Sequence, residues 1–482
     1  MSEKSIKVNS ILNVIKTISS IIFPLITFPY ISRVLKPENV GKVNFGTSFV
    51  SYFSLIASLG ITTYAIRECS AVRGDKKKLG EKASQIFSIN VCTTIFAYLL
   101  LGLSLIFFRK LDSYRTLIII QSTAILFTTW GADWLNTAME DFKFITIRSI
   151  GFQFISSILM FMLVHQPDDY LKYAAVTVLS SCGASITNVL YRRKYCTVRL
   201  TKDMHWQEHF KPILLLFVMI LAQTIFNSSD ITMLGFMKGD FEVGIYSTAH
   251  KIEGIIAQVV SSLSWVVMPR MSSYFSEGDY DRINDLLRKV FSILVFVGLP
   301  LTTGTIALAN EIVMIVGGES YQASALPLII LMLSFSFSLL GGSFLGNMVL
   351  LPSKNEKIYM RICCIATAIN VVLNLLLIRM WGAIAAAGTT AFCSFLMMLM
   401  MVITRDKRIK LDYLGKALFV PTIGSALIFG YCKLVLFFFT NLWMKVGICV
   451  CGSVCLYVLV SLICRNEILI DIYNAFINKL RR

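Results

Sequence analysis

The sequence predicts an all-α polytopic membrane protein of about fourteen transmembrane helices: two six-helix pseudo-repeats around a central cavity, plus two C-terminal helices. Three observations lead there. Only 15% of the 482 residues are charged and 56% are hydrophobic, with a mean hydropathy of +0.71, against about 25% charged in an average soluble domain. So much apolar surface cannot be hidden inside a water-soluble globule, which excludes disorder and an ordinary cytosolic enzyme. The apolar residues also fall into long runs, and the runs repeat.

Runs of about 18 to 25 apolar residues read as membrane-crossing helices, because a chain in lipid must satisfy its own backbone hydrogen bonds. They lie at 10–32, 43–63, 83–107, 116–137, 149–165, 171–190, 212–236, 245–268, 290–310, 325–350, 358–378, 383–403, 417–438 and 446–464. The fifth is short and carries Gln153, Ser156 and Ser157. Of the 45 Lys and Arg, 31 fall on the N-terminal side of the membrane and 9 on the other. Positive loops stay cytoplasmic, so both termini are predicted inside. The first run is not a cleaved signal, since it contains Lys16, Pro24 and Pro29 and lacks a small-residue cleavage site. None of the twelve cysteines falls in an outer loop, and none has the partners of a zinc site, so neither disulfides nor a metal are expected.

Val40-Gly41 recurs as Val243-Gly244, Gly74-Asp75 as Gly278-Asp279, and Phe87-Ser88-Ile89 as Phe291-Ser292-Ile293, at an offset near 204. The repeat divides the chain into an N-terminal six-helix bundle (1–190), a basic cytoplasmic linker (191–211), a second bundle (212–403), two extra spans (404–464) and a cytoplasmic amphipathic tail (465–482). Six is even, so both halves face the same way, a transporter arrangement.

Charge inside lipid costs about 2.5–3.5 kcal/mol per residue, so it marks a cavity or a partner. Asp230 in span seven and Lys251 in span eight are expected at matching depth, with His250, Glu253 and Asn227 beside them. One reading is a structural ion pair. The other is a cavity wall whose cation meets an anionic substrate and whose carboxylates, Asp230 and Glu253, exchange a coupling ion. Arg33 closes span one, in which Pro24 and Pro29 suit a gating bend. Trp130 and Trp134, four residues apart, are expected to share a face, either as interfacial belt or as a stacking platform for sugars. The chain lacks a Walker A loop and a large outer domain with paired catalytic groups, so neither direct ATP drive nor polymerase or ligase chemistry is expected.

The segments "FPLITFPYISRVLKPENVGKVNFGTSFVSYFSLIASLGI", "W...NTAMEDFKFITIR", "SSDITMLGFMKGDFEVGIYSTAHKIEGI" and "VVMPRMS" resemble the oligosaccharide (O-antigen type) flippases of the polysaccharide transport family, within the superfamily that also holds multidrug extruders. The resemblance implies movement of undecaprenyl-pyrophosphate-linked oligosaccharide across a bacterial inner membrane by alternating access, without cofactor or nucleic acid. Membrane lipids, a polysaccharide polymerase and a chain-length regulator are the implied partners. The family's recurrent positions fall on Arg33, Gly41, Trp134, Glu140, Asp230, Gly244, Tyr246, Lys251, Pro269, Arg270 and Asn374. One departure is Lys36-Pro37-Glu38-Asn39, where the family often has Gly-Pro-Glu-Gly. A multidrug or cation antiporter, and a membrane polymerase or ligase, are the alternatives.

Overall fold

A computed structural model of the chain describes residues 6–464, 466, 468 and 469. The tail helix expected over 465–482 lies almost wholly outside these. All regular structure among the described residues is helical. Large apolar side chains such as Phe107, Phe437 and Ile463 stand more than 70% exposed, a liability in water and the ordinary outer surface of a helix in lipid.

Helix α1 (Ile6–Ser58) carries the first two spans and breaks at Lys36, with φ 62° and ψ 168°. That region belongs almost entirely to glycine. Pro37 follows and has no N–H to lose at the break. Replacing Lys36 by glycine relieves strain of about 1–3 kcal/mol against about 0.5–1 of added chain entropy. Lys36→Gly is therefore expected to raise the thermal midpoint in detergent, and a lowered midpoint would show that the lysine side chain contributes more than the strain costs.

Next come α2 (Ile61–Ala71), α3 (Lys76–Phe107), α4 (Arg115–Gly131), the short α5 (Trp134–Ala138), α6 (Phe142–Leu163), α7 (Tyr170–Tyr191) and α8 (Trp206–Met237). Then α9 (Asp240–Glu277), α10 (Tyr280–Ala307), α11 (Ala309–Gly317) and α12 (Ala325–Ser338) lead into a π-helix at Leu339–Leu350. The chain ends with α13 (Glu356–Thr404), which breaks at Gly382 with φ 54°, α14 (Leu414–Phe438) and α15 (Leu442–Ile463). Nine stretches among the described residues are long and apolar enough to cross a membrane. The first, at Ile15–Ala71, and Glu356–Thr404 each hold two spans, and α4, α8 and α9 complete the fourteen read from the sequence.

The chain packs as two compact units, Met1–Gly244 and Ile245–Arg482. The sequence repeat places its connector at 191–211, and the packing boundary falls later because α8 joins the first unit. Ser48 Oγ donates to the Ser228 carbonyl (2.7 Å) and meets Thr232 Oγ1 (2.8 Å). A Cβ on Gly235 would lie 2.2 Å from the Phe45 ring. In the second unit the extra helices dock through Ile428, Cys432, Val435, Cys449 and Tyr457 against Ala307 and Leu308, and the Tyr457 hydroxyl donates to the Phe296 carbonyl (2.8 Å).

The recurring Gly-Asp has a physical reason in each unit. Asp75 caps α3 by accepting from the backbone N–H of Lys77 (2.9 Å), and Asp279 caps α10 by accepting from that of Arg282 (3.0 Å). The chain following the sixth helix of each half returns to the same place. The Thr201 N–H donates to Ser88 Oγ on α3 (2.8 Å), and the Lys410 N–H donates to Asn284 Oδ1 on α10 (2.9 Å).

Candidate functional site

The junction between the fourth and fifth spans is built where α4 stops. Ala132 takes a left-handed conformation (φ 47°, ψ 48°), which interrupts the helix between Trp130 and Trp134. The shared face expected of the two rings is therefore absent. Trp134 is packed in the core, 4% exposed, whereas Trp130 is 47% exposed. Polar side chains hold the broken junction together. Asn136 Nδ2 donates to Asn188 Oδ1 (2.6 Å), and Asn188 Nδ2 to the Gly131 carbonyl (2.6 Å). Asp141 accepts from the hydroxyls of Tyr195 (2.6 Å) and Tyr191 (3.0 Å), and Glu140 pairs with Arg73.

The apolar run that starts at 149 puts Arg148 just outside the span, among the 31 charges expected in cytoplasmic loops. It lies instead inside α6 with its side chain 8% exposed, and its Nη2 pairs with Asp133 Oδ1 at 2.9 Å. The only signal that could have found it was Asp133 beside Trp134 in an otherwise apolar span.

The two repeats of Val-Gly meet. A Cβ on Gly41 would fall 1.8 Å from the Asp240 carbonyl oxygen, and one on Gly244 would fall 2.0 Å from that of Pro37. The contact is reciprocal, each glycine seated on the turn that precedes the other. Tyr114 Oη donates to Asp240 Oδ1, and Lys110 Nζ to the Phe236 carbonyl, fixing the α8–α9 turn to the first unit. Arg33, a few residues earlier, is exposed. Asp230 on α8 is 2% exposed, and Asn227 one turn before it is exposed. Pro24 and Pro29 lie within α1 and are half-buried.

In the second unit, α9 presents Tyr246, His250, Lys251 and Glu253. His250 Nδ1 approaches Glu253 Oε2 (3.5 Å), and the Tyr246 ring stacks parallel to the imidazole at 5.9 Å. Lys251 is half-buried and Arg270 is exposed. Asn374 is fully buried and accepts from Thr389 Oγ1 while donating to Asn370 Oδ1 (3.1 Å). This polar knot ties the two spans of α13 across the Gly382 break, and no sequence signal sets Asn370 or Thr389 beside Asn374. Among the described residues no group of three or more His, Cys, Asp or Glu could hold a metal ion.

Ahead of the seventh span, Lys82 bridges Glu68 (3.0 Å) and Glu208 (3.1 Å), and fully buried His209 shares a hydrogen bond with the Tyr64 hydroxyl (2.7 Å). Burial holds the His209 pKa below its ordinary 6.5. An unfolded histidine takes up its proton near 6.5 and this one only below that. The stability it contributes is thus complete above about pH 6.5 and declines as pH falls through the folded value. His209→Gln is expected to flatten the fall of the thermal midpoint between about pH 7 and about pH 5.5. An equal fall in both proteins would contradict it.

Capped repeats, fourteen spans and charges held inside them define a multi-pass helical membrane protein of the kind that moves solutes through a bundle. The chain belongs to the polysaccharide biosynthesis protein family, whose model matches residues 6–275. A second model, lipid II flippase MurJ, matches residues 254–454. The chain is 25% identical to the capsular polysaccharide biosynthesis protein CapF of Staphylococcus aureus over 76% of its own length and 90% of that protein's. It is 23% identical to a putative O-antigen transporter of Shigella dysenteriae over 79% and 95%. In fold it matches a solved inward closed conformation of lipid II flippase MurJ, with TM-score 0.75 and 15% identity, covering 96% of this chain and 99% of that one.

Proposed function

We propose that this protein flips undecaprenyl-pyrophosphate-linked oligosaccharide repeat units from the cytoplasmic to the periplasmic leaflet of a bacterial inner membrane, for O-antigen, capsule or exopolysaccharide synthesis. Family membership over residues 6–275 carries the reading. The relatives' names agree with it, and so does charge retained inside the spans, which costs too much to keep without use. In this reading Lys251 and Arg33 attract the pyrophosphate, the lipid tail stays in the bilayer, and Asp230 or Glu253 carries a coupling ion. Pro24, Pro29, Gly41 and Gly244 shape the elements that open and close. Both termini are cytoplasmic, the protein forms no bonds, and a polymerase acts on the delivered units. Deleting the gene tests it: lipid-linked repeat units should accumulate while surface polysaccharide disappears. Drug sensitivity with normal polysaccharide, or bond formation by the purified chain, would contradict it.

A further inference from the structure

Arg148 and Asp133 pair an enclosed guanidinium with a part-exposed carboxylate, and the proposed function gives neither a role. Arg148 sits about 9 Å inside α6 from its start at Phe142. Its guanidinium is almost fully enclosed and is held by Asp133 Oδ1 (2.9 Å) and by the Ala184 carbonyl, to which Nη1 donates (3.0 Å). Its Nε is buried without a hydrogen-bond partner, so one N–H of the fork is unused, while the guanidinium lies over the Phe144 ring (5.2 Å). Asp133 is placed by the left-handed residue that ends α4. Its other oxygen accepts from Ser185 Oγ (2.8 Å), yet the side chain remains 40% exposed. Lys16 on α1 lies within electrostatic reach of both charges, where α1 and α6 meet through the Thr146 hydroxyl bonded to the Leu12 carbonyl (3.1 Å).

The group therefore holds two cations and one carboxylate inside an apolar bundle. An excess positive charge there is costly unless an anion arrives to meet it. A guanidinium fork is also the shape that binds phosphate oxygens two at a time.

Building on the proposed function, we propose that Asp133 is a stand-in counter-ion: it neutralises Arg148 while the bundle is empty and gives up the guanidinium to a diphosphate group, with Lys16 meeting the second charge. Asp133 is a positioning residue, and Arg148 and Lys16 are the groups that touch the ligand. Ser185 keeps its hydrogen bond to the displaced carboxylate, which is already part-exposed. Release of the diphosphate restores the internal pair, which keeps the site from holding its cargo too tightly.

Removal of a competitor should strengthen binding, an effect a merely structural carboxylate cannot produce. The test measures binding of inorganic pyrophosphate and of a short-chain prenyl diphosphate to the full chain in detergent. Asp133→Asn is expected to bind about tenfold tighter, the weight of one charge-assisted contact, and Arg148→Gln about tenfold or more weaker. The double variant should match Arg148→Gln alone, since the carboxylate acts only through the guanidinium. Arg148→Lys, with thermal midpoints for all variants, separates lost binding from lost fold. A gain with both probes assigns the free anion's chemistry, and a gain with the prenyl diphosphate alone assigns the lipid headgroup; either supports the inference. Wild-type binding that Asp133→Asn weakens or leaves unchanged overturns the stand-in role while leaving the proposed function intact. No binding of either probe to the wild type overturns both.

Discussion

Gly41→Ala is expected to abolish surface polysaccharide and to lower stability by about 1–3 kcal/mol or more. The new Cβ would stand 1.8 Å from the Asp240 carbonyl oxygen and 2.9 Å from the Gly244 nitrogen. These are backbone atoms, so no side chain can swing away, and the two turns must separate. Gly244→Ala meets the Pro37 carbonyl in the same way and should behave alike. The double variant should cost little more than either single one, because the turns are already apart after the first substitution. Gly254 and Gly304 also lie in helices, but no atom lies within 4 Å of the Cβ position. Alanine there should be neutral or slightly stabilising, by up to about 1 kcal/mol from helix propensity. The comparison is sharp because propensity favours alanine at all four helical sites, so only the close approach can reverse the sign. Polymer levels on the cell surface and thermal midpoints in detergent check it; a Gly41→Ala protein as stable and active as wild type would remove the contact from the account.

Lys251→Ala and Asp230→Asn are expected to reduce polymer export about tenfold or more, the loss of at least one charge-assisted interaction, while leaving the protein as stable as before or more so. Stability should not fall because each substitution also removes the cost of keeping a charge inside lipid, about 2.5–3.5 kcal/mol. Lys251→Arg should retain part of the export, since it keeps the charge. A structural ion pair would give the opposite pattern: thermal midpoints would drop together with export, and the double substitution would recover stability. The two measurements, made on the same variants, separate the role of these residues in transport from a role in folding.

Much of the architecture was legible in the sequence because lipid imposes it. Span number follows from apolar run length, and the repeat was visible at Gly74-Asp75 and Gly278-Asp279 because a helix start needs its cap in both halves. Val40-Gly41 and Val243-Gly244 were visible for a related reason: only glycine fits where each turn presses on the other. What could not be read were the irregularities inside spans. The left-handed residue is Ala132 and not its neighbour Gly131, and a single glycine inside an apolar run does not by itself end a helix, so Trp130 and Trp134 read as one helical face. Arg148 read as a loop cation because a basic residue flanking an apolar run and a buried partner of a distant aspartate look alike until α4 and α6 are placed together. The π-helix at Leu339–Leu350 has the same composition as the α-helix the pattern predicts.

A flippase is defined by the direction in which its substrate crosses the membrane. In cells depleted of this protein, the lipid-linked repeat units should be found on the cytoplasmic leaflet, shielded from a sugar-modifying enzyme added outside the membrane, and should become reachable once the protein is restored. Repeat units that reach the outer leaflet equally well without the protein would contradict the account.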